Sequence, residues 1–249
     1  MFQQNKNESE ALEKALNGQY DFDIKSLFMR AGEASRKNMA TILKCILAAV
    51  FFALGITIVF FQIYEIQTVE QFEAIPLETR YLFQMILECL IAPMLVGLTM
   101  IGVRTERKEA VTFSMLWAYY PIFIFVASAT LMVALLSQLG FALFLLPGIY
   151  VLVTTMFVQA LVADKAMSPL AALVLSIKVS NKYLVKIALC YLAFFAMFIF
   201  VMITFGFALI WVGPLFFNFK GILYNDLFGG ISEVQNAPEH SEEETHFDA

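Results

Sequence analysis

The feature that most constrains this chain is the apolar stretch from Phe141 to Asp164, which carries Pro147-Gly148 near its start and ends on an acidic residue. A bilayer core about 30 Å thick is crossed by roughly 20 apolar residues of helix, so the stretch is long enough to span a membrane. A basic amphipathic segment, Lys165–Lys182, follows directly. This order predicts the returning arm of a transmembrane hairpin, followed by a helix at the membrane surface.

Composition extends this prediction to the whole chain. Hydrophobic residues make up 60% of the 249 residues and charged residues only 15%, against roughly 45–50% and 25% in soluble domains. The uncharged tract between Glu109 and Asp164 is too long for one span and too short for three, and the tract from Lys186 to Leu227 also fits a pair. We therefore predict an all-α membrane protein with six transmembrane helices, arranged as three hairpins, and with amphipathic interfacial helices on the cytoplasmic side.

The predicted spans lie at about residues 45–64, 81–103, 117–136, 141–164, 187–205 and 208–227. No polar loop separates the third span from the fourth or the fifth from the sixth, so we expect tight turns near Ser137–Gly140 and near Gly206. Of the 16 Lys and Arg residues, only Arg80 lies on the far side if the N-terminus is cytoplasmic. The positive-inside rule then places both termini in the cytoplasm.

Polar segments divide the chain into three parts. Residues 1–22 form a polar leader, residues 23–230 the transmembrane domain with its interfacial helices, and residues 231–249 an acidic tail. We expect the leader to be loose and the tail to be disordered in the cytoplasm, because segments of this composition bury little apolar surface. The leader also lacks the short basic region and apolar core of a cleaved signal peptide.

Two amphipathic helices are predicted at the membrane surface. Asp23 is the predicted N-cap of the first, while Ser168 caps the second with Pro169 at its first helical position. Their apolar stripes consist of Ile24, Leu27, Phe28 and Ala31 in the first helix, and of Leu170, Leu173, Val174 and Ile177 in the second. Basic residues recur at steps of four along the second helix and beyond it: Lys178, Lys182 and Lys186. Such bases suit an anionic leaflet.

Each predicted returning span carries Pro and Gly in its first half. The pairs are Pro93 with Gly97, Pro147 with Gly148, and Gly213 with Pro214. Glu109–Tyr120, with apolar residues at helical spacing, is a poorer third example of an interfacial helix. The pattern indicates either a triplicated unit of helix plus hairpin, or the general abundance of Pro and Gly in membrane helices.

Four charged residues near or within the spans are candidate functional residues. Glu88 is either a proton or cation site beside Pro93, or a carboxyl near the interface that is protonated or bonded to Gln84 or another span. The aliphatic side chain of Lys220 can extend to the membrane interface, so that its ammonium group lies among the headgroups. A contact between Lys220 and Asp226 is a further alternative. Asp164 most simply ends the fourth span at the headgroups.

Several classes of function are excluded by what the sequence contains. The net charge of -5 argues against nucleic acid as a partner. Cys45, Cys89 and Cys190 fall in predicted spans, and His240 and His246 stand alone in the acidic tail. Since neither set has metal-ligand spacing and no nucleophile elbow or phosphate loop occurs, we predict no catalytic site, no cofactor and no metal.

The segment LLPGIYVLVTTMFVQALVADKAMSPLAALVLSIKVSNKY resembles the YciC-like group of bacterial inner-membrane proteins, and it is similar to the membrane domain of some glycerophosphoryl diester phosphodiesterases. The matching residues are Pro147 to Tyr150, Asp164, Ser168 to Leu170, Ala172, Ser176, Gly213-Pro214 and Tyr224 to Leu227. The resemblance covers about residues 24–229 and implies six spans in a bacterial inner membrane. It implies no reaction, because the phosphodiesterase domain is absent from this sequence.

These features favour a non-enzymatic envelope scaffold or accessory factor that works through its cytoplasmic surface. The alternative is a small-solute transporter or channel built around the Pro- and Gly-interrupted spans. A third and weaker hypothesis is a lipid-binding or lipid-handling protein, because basic interfacial helices collect anionic headgroups. The expected partners are the lipid bilayer, anionic lipid headgroups and a protein at the cytoplasmic face.

Overall fold

The computed structural model describes residues 11–229, which form helices and turns without any β-strand. The α-helices are α1 (Ile24–Ile63), α2 (Val69–Ala74), α3 (Leu77–Glu106), α4 (Phe123–Leu143), α5 (Leu145–Thr154), α6 (Val158–Lys165), α7 (Pro169–Lys182), α8 (Leu184–Ile203) and α9 (Leu209–Tyr224). Two 3₁₀ turns, Phe113–Leu116 and Tyr120–Ile122, precede α4, and a π turn, Asn225–Gly229, follows α9. Helix α9 packs mainly on α1 and α3, and α4 packs mainly on α5.

Five helical segments in the described part of the chain are long and apolar enough to cross a membrane. They are Ile24–Ile63, Leu77–Glu106, Phe113–Leu143, Leu145–Lys165 and Leu184–Ile203. Helix α9, which occupies the predicted sixth span, has 16 residues and is therefore about 24 Å long at 1.5 Å per residue. A π turn, Asn225–Gly229, continues it, but this segment is not among the candidate spans. The prediction of six spans in three hairpins is therefore confirmed only as an all-helical protein with five candidate spans.

Helix α1 combines two elements that the sequence predicts separately. The N-cap at Asp23 is as predicted, since its side chain accepts a hydrogen bond from the Lys25 backbone N–H at 3.0 Å. The helix then continues without a break for 40 residues, or about 60 Å. The predicted boundary before Cys45 is wrong because the buried stripe runs across it at helical spacing. That stripe consists of Leu27, Ala31, Ala34, Asn38, Ile42, Cys45, Ile46 and Ala49.

The predicted turn at Ser137–Gly140 is also wrong. Helix α4 continues to Leu143, and the chain reverses at Phe144, which has an extended backbone. Gly140 is helical and lies against α5, where a Cβ on it would meet the Gly148 Cα at 3.1 Å. Pro147 lies in the first turn of α5, where a missing N–H costs no intrahelical hydrogen bond. The reversal therefore depends on a close approach of two helices rather than on a polar loop.

The predicted fourth span is interrupted near its middle. Helix α5 ends at Thr154 and α6 begins at Val158. The Ser176 hydroxyl of α7 donates to the Thr154 carbonyl at 2.7 Å, and the Thr155 hydroxyl donates to the Val151 carbonyl at 2.7 Å. The Val151 carbonyl also accepts from the Thr155 backbone N–H at 3.0 Å, whereas the Val158 N–H bonds to Thr155 instead of Thr154. The Ser176 hydroxyl therefore satisfies the Thr154 carbonyl, which a continuous helix would pair with a backbone N–H.

Helix α7 begins as predicted but turns a different face inward. The Ser168 hydroxyl accepts from the Ala171 N–H at 3.4 Å, with Pro169 at the first position. The buried residues are Ala172, Leu173, Ser176, Val179 and Ser180. Leu170 and Val174 of the predicted stripe are exposed. The small residues lie on the inward face because they allow α7 to approach α5 and α6 closely.

The segment Glu109–Tyr120 does not form the predicted third interfacial helix. Its 3₁₀ turn at Phe113–Leu116 packs directly on α3, because a Cβ on Gly97 would lie 2.5 Å from the Met115 carbonyl oxygen. The position of the proline within its helix also differs among the three candidate repeats. Pro93 and Pro214 lie inside α3 and α9, whereas Pro147 lies in the first turn of α5. Gly213 of α9 faces Ile46 of α1.

The leader is not loose over its described part. Residues 11–16 are helical, Ala15 is fully buried and Phe22 is 3% exposed. Tyr183 donates from its hydroxyl to the Ala15 carbonyl, and its ring stacks on Phe22 at 5.9 Å between centroids. These aromatic contacts hold residues 11–22 on the start of α8. The remainder of the predicted leader and the predicted acidic tail lie outside the described residues.

Candidate functional site

Three consecutive residues at the end of α9 reach three different partners. The Tyr224 hydroxyl donates to Asp164 of α6, Asn225 accepts from Arg107 just after α3, and Asp226 accepts from Arg30 of α1. The backbone changes to a π turn at Asn225, and π turns often occur at functional sites. The change of backbone geometry lets neighbouring side chains serve different helices.

The Asp226 cluster consists of Tyr20, Arg30, Glu106 and Asp226. Both terminal nitrogens of Arg30 donate to the Asp226 carboxylate at 2.8 Å, in the bidentate geometry that makes such pairs strong. Arg30 also donates to Glu106, and the Tyr20 hydroxyl donates to Asp226 at 2.6 Å. The Asp226 side chain is only 5% exposed. Burial, followed by the negative charge of Asp226, raises the pKa of Tyr20 above its ordinary range.

The Asp164 cluster consists of Arg107, Asp164, Tyr224 and Asn225. Arg107 donates to both Asp164 oxygens at 3.4 Å and from its Nε to the Asn225 side-chain oxygen at 2.9 Å. The Tyr224 hydroxyl donates to Asp164 at 2.9 Å. The charged pair is largely shielded from solvent, since the Arg107 side chain is 11% exposed and that of Asp164 12%.

An amide cluster of Ser35, Asn38, Thr105 and Asn218 lies beside the charged groups. The Asn38 and Asn218 side chains donate to each other, at 2.8 and 2.9 Å. Asn38 also donates to the Thr105 hydroxyl, and Asn218 donates to the Ser35 hydroxyl and to the Pro214 carbonyl. Because both amides are buried, these bonds supply the partners that polar groups need away from water.

Two glycines explain why short side chains suffice at these clusters. A Cβ on Gly102 of α3 would lie 2.5 Å from the Phe217 carbonyl oxygen, and one on Gly221 of α9 would lie 2.5 Å from the Val103 nitrogen. The two backbones are therefore in direct contact, as at small-residue crossings of membrane helices. This contact brings Asn218 and Asp226 within reach of α1.

The arrangement can hold helices together, because its charged groups are paired with one another. The three carboxylates of the two charge clusters are each bonded to an arginine, and both guanidinium groups are occupied by them. Among residues 11–229, no group of three or more His, Cys, Asp or Glu side chains is placed to hold a metal ion. His240 and His246 lie outside the described residues.

The predicted site residues separate into two sets. Asp164 and Asp226 lie in adjoining clusters but on different arginines. Lys220 is partly exposed on α9 and does not contact Asp226 in the described structure. Glu88 accepts from Gln84 at 2.9 Å, and it precedes Glu106 on α3 by 18 residues, about 27 Å along the helix. Glu88 and Lys220 therefore do not belong to the clusters.

Sequence reasoning missed Tyr20, Arg30, Glu106 and Arg107 as site residues. One signal was present: the polar Asn38 interrupts the apolar stripe of α1 at helical spacing. A polar residue in such a stripe requires a buried partner.

The fold and these clusters define an all-helical protein of membrane type whose helices are joined by partly buried charge pairs. No protein-family model matches the chain, and neither a curated protein nor a solved structure matches it significantly.

Proposed function

We propose that this protein is a non-enzymatic, multi-pass inner-membrane protein of the YciC-like group that acts as an envelope scaffold or accessory factor, with both termini in the cytoplasm. The observation that carries the proposal is that the charged groups of both clusters are used to join helices. The guanidinium of Arg30 is bound by Asp226 and Glu106, and that of Arg107 by Asp164. A scaffold needs such fixed geometry, whereas a substrate site needs free groups.

Close packing at the helix glycines supports the same proposal. A transporter would be expected to open a polar path beside the Pro- and Gly-interrupted helices. Instead a Cβ on Gly213 would meet the Ile46 side chain at 2.7 Å, and Gly97, Gly102 and Gly221 each lie against another backbone. The space beside these glycines is filled by protein.

Exposed basic side chains supply a surface through which such a protein can act. On α1 and α7 they are Lys25, Arg36, Lys37, Lys44, Lys178 and Lys182. None of these side chains forms an ion pair within residues 11–229. They remain available to anionic headgroups or to an acidic protein partner.

A second candidate function, solute transport, is favoured by the break between α5 and α6. Transporters commonly bind substrates where a membrane helix is interrupted. Polar side chains lie near this break: Gln159 of α6 donates to Thr130 of α4 at 3.0 Å, and the latter is largely buried. This observation keeps transport as the alternative to be tested.

Two measurements distinguish the candidates. In vesicles containing the purified protein, the scaffold proposal expects proton and potassium fluxes no greater than in protein-free vesicles. A flux abolished by Glu88→Ala or Gln159→Leu would contradict it and favour transport. In native membranes, photo-crosslinking residues placed at Arg36 or Lys182 should give a discrete protein adduct. Matched positions on exposed apolar surfaces, Phe51 and Ile124, should give none.

A further inference from the structure

The outward side of α7 carries a shallow depression. It is lined by Ser168, Leu170, Ala171, Val174, Leu175 and Lys178. Leu170 is 66% exposed and Val174 is 44% exposed. The depression is therefore apolar along most of its length and basic at one end.

The inward side of α7 explains why these apolar residues are left outside. Ala172, Ser176 and Val179 are fully buried, and the Ser176 hydroxyl is bonded to the Thr154 carbonyl. The helix is thus fixed by its small and polar side. Covering a leucine and a valine with apolar material removes apolar surface from water, which is favourable. The exposed face therefore favours an apolar occupant.

Lys178 lies one helical turn beyond Val174, and Lys182 lies one turn further. Lys178 is exposed and forms no hydrogen bond or ion pair with its side chain within the described residues. An occupant that satisfies the whole face must be apolar beside Leu170 and Val174 and anionic beside Lys178.

We propose that the outward face of α7 seats one anionic phospholipid, with its phosphate at Lys178 and an acyl chain along Leu170 and Val174. The proposal rests on the chain crossing a membrane, and it is independent of whether the protein is a scaffold. Helix α7 begins at Pro169, shortly after the candidate span Leu145–Lys165 ends. A face at that position borders the headgroup layer, where lipid is present at high local concentration, and this favours a lipid over an acidic amphipathic peptide.

The test uses the full chain in vesicles and a single indole on the face. Trp117→Phe and Trp211→Phe remove the native indoles, which are the two in the sequence, and Val174→Trp adds one. Dibrominated phosphatidylglycerol and dibrominated phosphatidylcholine are then compared as quenchers of its fluorescence. We expect the anionic lipid to be favoured about fivefold, the factor equivalent to about 1 kcal/mol per basic residue near an anionic surface.

Two further variants identify the group responsible. Lys178→Gln should bring the ratio of quenching by the anionic lipid to quenching by phosphatidylcholine close to one. Lys108→Gln, which removes an exposed lysine away from α7, should leave this ratio unchanged. Equal quenching by both lipids in the single-indole Val174→Trp protein would overturn the proposal. An unchanged preference for the anionic lipid after Lys178→Gln would also overturn it. Protection from both quenchers would also overturn it, since it would show that protein covers the face. Circular dichroism and gel filtration of each variant establish that the fold is retained.

Discussion

Two regions of this molecule join helices in different ways. At the α4–α5 junction the contact is local and apolar: Gly140 touches Gly148, and Phe144 at the reversal is 80% exposed. At the charge clusters the contact is distant, since Tyr20 and Asp226 are separated by 206 residues and Arg107 and Asp164 by 57. The junction needs only small residues, whereas the clusters require particular charges to meet. The clusters therefore link helices that lie far apart in the sequence.

The strongest way to break this comparison is Asp164→Ala. It leaves the Arg107 guanidinium, 11% exposed, without its carboxylate, and an uncompensated buried charge costs about 3–5 kcal/mol. We expect the free energy of unfolding to fall by an amount near the lower end of this range, because both contacts between Arg107 and Asp164 are 3.4 Å long. The free energy of unfolding in detergent measures it.

The matched control for that variant is Glu109→Ala. Its pair with Arg104, 3.7 Å apart, is well exposed, and surface pairs contribute about 0–1 kcal/mol. Equal losses in the two variants would show that the Asp164 cluster does not hold the helices together.

The next largest effect is expected from Gly221→Val. The new Cβ would lie 2.5 Å from the Val103 nitrogen, and overpacking typically costs about 1–3 kcal/mol. Gly55→Ala is the control, since a Cβ there has nothing within 4 Å and alanine favours a helix by roughly 0.5–1 kcal/mol. A Gly221→Val protein as stable as the parent would show that α3 and α9 need no backbone contact.

A double substitution in the amide cluster tests whether its two asparagines stabilise the helix contacts jointly. Asn218→Leu alone leaves the buried Asn38 amide with fewer partners, and an unsatisfied buried polar group costs about 1–3 kcal/mol. Replacing both Asn38 and Asn218 with leucine removes the need for partners, so the double variant should lose less than the sum of the two single losses. Strict additivity of the free energies of unfolding would contradict a direct coupling between the amides.

The same contrast explains how much could be predicted from the sequence. Apolar runs and caps are local, so helical class, the caps at Asp23 and Ser168, and most candidate spans follow from the pattern. Arg30 and Arg107 were not singled out as site residues because their partners, Asp226 and Asp164, lie far along the chain. The continuity of α1 and the break after Thr154 were missed for the same reason, since contacts with other helices decide both.

The smallest effect is expected from Tyr20→Phe. It removes a hydrogen bond to a charged carboxylate, worth about 1.5 kcal/mol. The raised pKa of Tyr20, caused by burial and then by Asp226, means that the fold favours the neutral phenol. Its contribution is complete below the unfolded pKa of about 10 and is lost as the pH rises above that value. Tyr20→Phe should therefore be less stable than the parent at pH 8, and its unfolding free energy should fall less between pH 9 and pH 11. A parallel decline in both proteins would show that Tyr20 does not depend on Asp226 in the folded state, which would confine the cluster to its two arginine contacts.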